Sequence, residues 1–330
     1  MPGVCLHGAE NWLRGSSLRA DGKACNLMKN KELEGNIYLL ICAMIWGFAF
    51  VAQRVGSGYL PALTFNALRF TLGALSLLPL VIIADKKRTP KEGDRDKLKA
   101  SLIGGAVCGV ILFLGITFQQ YGIAFTTVGK AGFITDMYIV FVPLLGLFMR
   151  RKVSPATWLS VIICVIGLYL ISVTGNFSIS KGDKFELLGA VVWAFHIMLI
   201  DHFSRKADPL KLSIIQFAVC AMLSSAASLM FEHADMRNVL PAIVPLLYAG
   251  VLSVGVAYTM QIFGQRHAKP SVSAIIMSLE SVFSCLGGAI ILHENLGARG
   301  YVGCALMITG MLLSQLSSIA SIRRNMQDAA

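Results

Sequence analysis

The chain has 330 residues, 55% of them hydrophobic and only 14% charged, with a formal net charge of +11 and a mean hydropathy of +0.68. A soluble domain carries about 25% charged residues, so the composition excludes a soluble fold and implies an integral membrane protein. The basic residues sit in short loops between apolar runs, which is the pattern of membrane orientation rather than of nucleic-acid binding.

Residues 1–35 form a tail whose opening stretch, "MPGVCLHGAENWLRGSSLRADGKACNL", has no apolar core of the kind a signal peptide needs. It is expected to be an unstructured cytoplasmic tail, and "MKNKELEGN" from Met28 looks like an ordinary start just before the first span. Ten apolar runs follow, at 36–57, 62–84, 98–122, 128–149, 155–173, 185–203, 210–231, 241–263, 270–292 and 297–318. Each approaches the roughly 20 residues that cross a bilayer as a helix. Pro61, Pro155, Pro209, Pro241 and Pro270 open or precede runs, where a missing N–H costs little. Residues 85–97 are a polar, charged loop, 174–184 a linker and 319–330 a second tail. With the N-terminus inside, the cytoplasmic segments hold 22 Lys and Arg and the external loops 4, so both termini are expected to be cytoplasmic.

The runs repeat. An offset of 147 places Trp46 on Trp193 and Arg69-Phe70 on Gln216-Phe217; near 141, Gly109 meets Gly250 and Gln120 meets Gln261; at 143, Ala131 meets Ala274 and Gly167 meets Gly310. The order of matches is kept while the offset drifts by a few residues. Each copy, 36–173 and 185–318, holds five spans, and an odd number inverts the second copy in the membrane. The expected fold is an all-α membrane protein of ten transmembrane helices built as two inverted five-helix repeats, the arrangement of many secondary transporters.

"IWG" at 45–47, the arginine of span two, "SLESVF" with "GGAIILHENL" (278–296) and the five-plus-five arrangement resemble the drug/metabolite transporter superfamily, EamA type. The resemblance covers about residues 36–318. It implies transport of amino acids, related metabolites or drugs across a bacterial cytoplasmic membrane. The chain has Ser281 where many members have proline after the span-nine glutamate, so the resemblance gives no ground for a bend there. The acid closing the second copy is kept as Glu294, while the first copy ends in Arg150-Arg151.

Polar residues inside the runs are the candidate site. Glu280 lies halfway along span nine with Ser273, Met277, Ser284 and Gly287 on its face, a stripe suited to helix contact or a cavity rather than lipid. It is either a proton- or substrate-binding carboxylate or a protonated structural one. Asp136 in span four lies one position from its repeat equivalent. Arg69 in span two is too deep to snorkel easily and is read as holding an anionic substrate group or pairing with Asp136; Arg54 and Lys130 lie near helix ends, from which they can reach the interface. Trp46, Trp193, Tyr258, Gln120 and Gln261 are candidate cavity residues, with core packing as the alternative for the aromatics. His196, Asp201 and His202 point in different directions on a helix, so no metal site is read. The cysteines show no CxxC or zinc spacing.

The expected function is a secondary transporter exporting small metabolites, not an enzyme, with no cofactor and no P-loop; proton coupling, exchange and facilitated diffusion stay open. The partners are a small-molecule substrate and the bilayer, with no nucleic acid. The alternatives are an intramembrane enzyme and a lipid flippase or scramblase.

Overall fold

Proline and short polar side chains set the helix starts. Pro61 precedes α2 (Ala62–Lys86), and Pro155 and Pro209 begin α6 (Pro155–Ser172) and α8 (Pro209–Phe231), where their locked φ suits the first turn. The Asp208 carboxylate accepts from the backbone N–H groups of Leu210 and Lys211 ahead of α8. Ser180 and Asp183 form a reciprocal capping box at the start of α7 (Lys181–Ser204). The computed structural model describes the backbone of residues 5–87, 93–126, 128–151, 153–172, 180–293 and 297–327, and most side chains between residues 30 and 320. Among these residues there are helices, turns and loops and no strand.

Among the described residues, eight helical segments are long and apolar enough to cross a membrane: Asn30–Gly56, Ala62–Lys87, Asp94–Ile123, Val128–Phe148, Lys181–Ser204, Pro209–Phe231, Ile243–Gln265 and Pro270–Ile291. The chain is a multi-pass membrane protein. The expected spans at 155–173 and 297–318 fall in a shorter apolar helix, Pro155–Leu170, and in α13 (Gly297–Gln327), whose last turns are polar. The first span belongs to α1 (Cys5–Gly56). That helix starts before the expected end of the tail at 35. Glu294 lies outside the described residues.

Span four is two helices, α4 (Val128–Thr135) and α5 (Tyr138–Phe148), and span nine is α11 (Pro270–Met277) and α12 (Glu280–Ile291). At both breaks the backbone tightens: Met137 N donates to the Ile134 carbonyl at 3.2 Å and Leu279 N to that of Ile276 at 3.2 Å. These are the i→i−3 bonds of a 3₁₀ turn. An offset of 142 superposes the starts of these helices and both breaks, so Tyr138 corresponds to Glu280 and Asp136 to Ser278. Neither break has a proline; Pro143 lies inside α5. Span eight carries a π-helical stretch, Tyr248–Tyr258, between α9 (Ile243–Leu247) and α10 (Thr259–Gln265). Its residues project from a wider helix than the α-helical spacing assumes.

The packing is symmetric under exchange of the two copies. α3 (Asp94–Ile123) packs on α7 and α8, while the π-helical span packs on α1 and α2; α1 packs on α12 and α7 on α4 and α5. The pairs α2–α8 and α6–α13 close the set. Small residues set the close approaches. A Cβ on Gly105 or Gly109 would meet Ile215 or Val219 of α8 at 2.6 and 2.7 Å, so this GxxxG serves α3–α8 contact.

Gly47 holds α1 against the span-nine break. A Cβ there would lie 2.3 Å from Phe283 Cβ and 2.7 Å from the Glu280 carbonyl. Gly47→Ala should therefore push α1 and α12 apart and lower stability by about 1–3 kcal/mol, read as a lower melting temperature in detergent. An unchanged melting temperature would mean that this contact relaxes freely.

Candidate functional site

The bundle centre holds one aromatic cluster, with Tyr258 at its hub. Its ring centroid lies 4.6 Å from Trp46, 6.1 Å from Trp193 with planes 26° apart, 6.1 Å from Phe70 and 6.0 Å from Phe217. Beside the cluster is a cavity lined by residues of both copies, including Trp46, Gln53, Arg69, Gln119, Thr135 and Tyr138 from the first and Trp193, Ser253, Tyr258, Gln261 and Glu280 from the second. Its free volume is about 30 Å³, room for a water or two and not for a metabolite.

Arg69 is 1% exposed. It sits on the buried face of α2 with Phe65 and Phe70, and its guanidinium carbon lies 5.5 and 5.4 Å from their ring centroids. Gly250 fixes its height, since a Cβ there would lie 3.0 Å from the Arg69 carbonyl. Arg69 Nε and Nη2 are buried and have no hydrogen-bond partner among the described residues. The expected pairing with Asp136 is not formed. Two cation–π contacts are the compensation this guanidinium has, each worth roughly 0.5–2 kcal/mol.

Glu280, 4% exposed, accepts from the Tyr138 hydroxyl at 3.3 Å. Asp136 is fully buried one layer behind the cavity wall, where Ser281 Oγ donates to its Oδ2 and its Oδ1 has no hydrogen-bond partner among the described residues. Ser281 directly follows Glu280, so this bond brings the two acids together across the paired breaks. Ser281, at the position where a proline could not donate a side-chain hydrogen bond, serves as the second partner of Asp136.

Six of the expected residues line the cavity: Glu280, Arg69, Trp46, Trp193, Gln261 and Tyr258. Gln120 does not; its amide donates to the Gln53 carbonyl at 3.2 Å, because α3 turns Gln119 inward in its place. Gln53, Gln119, Thr135, Tyr138 and Ser253 were not anticipated. Gln53 was within reach of the sequence, standing seven residues after Trp46 on one helical face. Trp46 Nε1 donates to the Ser253 carbonyl at 3.3 Å, whereas Trp193 Nε1, Gln53 Oε1 and Gln261 Oε1 are buried without partners among the described residues. Buried polar atoms are normally satisfied, and a polar ligand in the cavity would satisfy these.

The other polar residues are used structurally. Arg54 donates to the carbonyls of Ile123 and Ala124 at the end of α3, at 3.0 and 2.9 Å, which suits the negative end of that helix. Lys130 pairs with Asp183 at 2.6 Å. His196 bonds Gln216, Asp201 pairs with Arg151 and Arg205, and His202 contacts Lys206. A second cavity, with about 180 Å³ of free volume, lies at the Lys- and Arg-rich end and is lined by Val142, Arg151, Met198, Lys269 and Ser314 among others.

The family model for the EamA-like transporter family matches the chain twice, over residues 33–173 and 180–316. The chain belongs to the EamA-like transporter family. An uncharacterized transporter of Archaeoglobus fulgidus is 30% identical over 288 residues, 87% of each chain. The Escherichia coli protein named "probable amino-acid metabolite efflux pump" is 22% identical over 300 residues, 84% of this chain and 93% of its own. A solved crystal structure at 17% identity covers 86% of this chain and 96% of that one with a TM-score of 0.67, which shows a shared fold. In this EamA-like transporter the tryptophan of "IWG" faces the cavity while the glycine beside it brings α1 onto the span-nine break.

Proposed function

We propose that this EamA-like transporter exports zwitterionic amino acids or close relatives across the bacterial cytoplasmic membrane. The observation that carries the reading is one aromatic-walled cavity onto which both a buried guanidinium, Arg69, whose Nε and Nη2 have no partner among the described residues, and a buried carboxyl, Glu280, open. A substrate carboxylate takes the free N–H groups of Arg69, where planar bidentate pairing is strongest. Its ammonium group goes to Glu280 and the π-faces of Trp46 and Tyr258. The apolar side chain rests among Trp193, Ile116 and Met277.

The motion is alternating access of two inverted five-helix repeats, supported by the exchange symmetry of the packing and the matched breaks. The Lys- and Arg-rich end is cytoplasmic by the positive-inside rule, with both termini on that side. The larger cavity at that end is then the mouth by which substrate enters, which favours export. Asp136 and Glu280 share a proton, since ionising both would set like charges side by side in a desolvated site. Substrate ammonium and this proton compete for Glu280, which couples the two. No covalent step is involved, and no cofactor.

Binding to the purified protein tests the substrate class. L-Leucine or L-tryptophan should bind at least tenfold more tightly than the matching amine without its carboxylate or the matching acid without its ammonium. Equal binding of all three would overturn the two-charge reading. Orientation is tested by single cysteines in loops 85–97 and 232–240, which an impermeant thiol reagent should label from opposite faces; labelling of both from outside intact cells would overturn it.

A further inference from the structure

A third carboxylate lies inside the bundle and has no place in the binding site just described. Glu186, on α7, is fully buried. Thr135 Oγ1 donates to its Oε2 at 2.9 Å, and its Oε1 is buried with no partner among the described residues. Gly122, in the last turn of α3, makes room for it: a Cβ there would lie 2.6 Å from Glu186 Oε1. No packing requirement explains a carboxyl here, and a buried acid with a free oxygen costs stability.

Its surroundings form a ladder. One turn away on α7 stands Asp183, which accepts from Lys130 of α4 at 2.6 Å and from Thr126 at 3.0 Å, at the end of the bundle opposite the basic loops. On the other side Thr135 lines the central cavity and directly precedes Asp136 at the span-four break. The titratable groups around Glu186 are Asp183 on its own helix, Lys130, Asp136 and Tyr138 from α4 and α5, Tyr121 from α3 and Glu280 from α12. Tyr121 is occupied by Glu232 at 3.2 Å and Lys130 by Asp183. The neighbouring α10 and α11 contribute no titratable side chain. Arg54 donates to the Ile123 and Ala124 carbonyls beside Gly122, and among the described residues no salt bridge to Glu186 is formed.

We propose that Glu186 is a proton-relay carboxyl connecting the Asp183–Lys130 end of the bundle to the central carboxyl pair. A proton from water at that end binds the carboxylate at Oε1. The carboxyl group then turns so that this O–H faces Thr135 and gives its proton to the Thr135 oxygen, while the hydroxyl releases its own proton into the cavity towards Glu280. One proton enters and one leaves; Glu186 is again a carboxylate that accepts from Thr135, as in the structure. The proposal rests on the transporter reading, in which protons arriving from that side drive export. It adds a site that the central pair alone does not need.

The test uses the full chain in proteoliposomes. Infrared difference spectra after a pH step on the Asp183 side, with impermeant buffer, should show carboxyl bands for Glu186 and for the central pair. Glu186→Gln should remove one band and slow the response of the others at least tenfold. Thr135→Val, with Glu186 intact, should keep the first band and slow the rest. Counterflow of radiolabelled L-leucine at equal pH should stay within twofold of wild type in Glu186→Gln, while uptake driven by a pH gradient falls at least tenfold. Unchanged spectra and gradient response in Glu186→Gln would overturn the relay, as would equal loss of counterflow with a lowered melting temperature. Absence of leucine or tryptophan counterflow in the wild type would instead count against the substrate class, and the infrared result would still decide the relay.

Discussion

Replacing Arg69 by methionine should abolish high-affinity substrate binding without destabilising the empty protein. The guanidinium is desolvated, lacks a carboxylate, and leaves Nε and Nη2 unpaired, so in the empty state it is a cost that two aromatic contacts only partly offset. Methionine fills much of the same stem volume against Phe65 and Phe70 and removes the charge, so the melting temperature of Arg69→Met should hold or rise. In the occupied state, removing one partner of a buried charge pair costs about 2–5 kcal/mol, which corresponds to roughly 30- to 4,000-fold in affinity. Arg69→Lys keeps the charge but not the planar fork and should fall between. The opposed signs of the two readouts separate a binding role from a structural one. Wild-type affinity together with a lowered melting temperature would make Arg69 a packing residue.

Glu280→Gln is expected to leave the protein folded and able to exchange substrate, while accumulation driven by a pH gradient drops at least tenfold. The amide keeps an acceptor for the Tyr138 hydroxyl, 3.3 Å away, and keeps the volume at the break, but it cannot carry a proton through the cycle. Asp136 lies behind Glu280 and reaches the cavity through it, so adding Asp136→Asn to Glu280→Gln should cost little more than Glu280→Gln alone, as residues acting as a unit are non-additive. Measured pH-gradient dependence in both variants, against exchange at equal pH, decides the matter. A Glu280→Gln protein with the wild-type gradient response would reduce the glutamate to a neutral packing residue.

Much of this protein could be read along one dimension. A run of apolar residues long enough to cross a bilayer is a local property, and so is a charge within it; Glu280, Arg69 and Asp136 announce themselves without any neighbours. The same signal belonged to Glu186, which stands one residue inside the expected span 185–203 and could have been found by it. The repeat pairing of Trp46 with Trp193 was also legible, because both positions keep a large aromatic residue.

What the bundle alone decided is rotation and partnership. Gln119 and Gln120 differ by about 100° around α3, and only the packing of α3 on α7 and α8, set by Gly105 and Gly109 among others, turns the first inward. The breaks after Thr135 and Met277 have no proline to signal them, because they come from a tightened turn stabilised by neighbours. Asp136 meets Glu280 rather than Arg69 since the two breaks face one another across the copies while α2 is held against the π-helical stretch. Composition and hydropathy fix which segments enter the membrane, as transfer from water depends on each segment by itself. Which side chains share a cavity depends on how those segments turn against one another, and that is a matter of contacts between residues far apart in the chain.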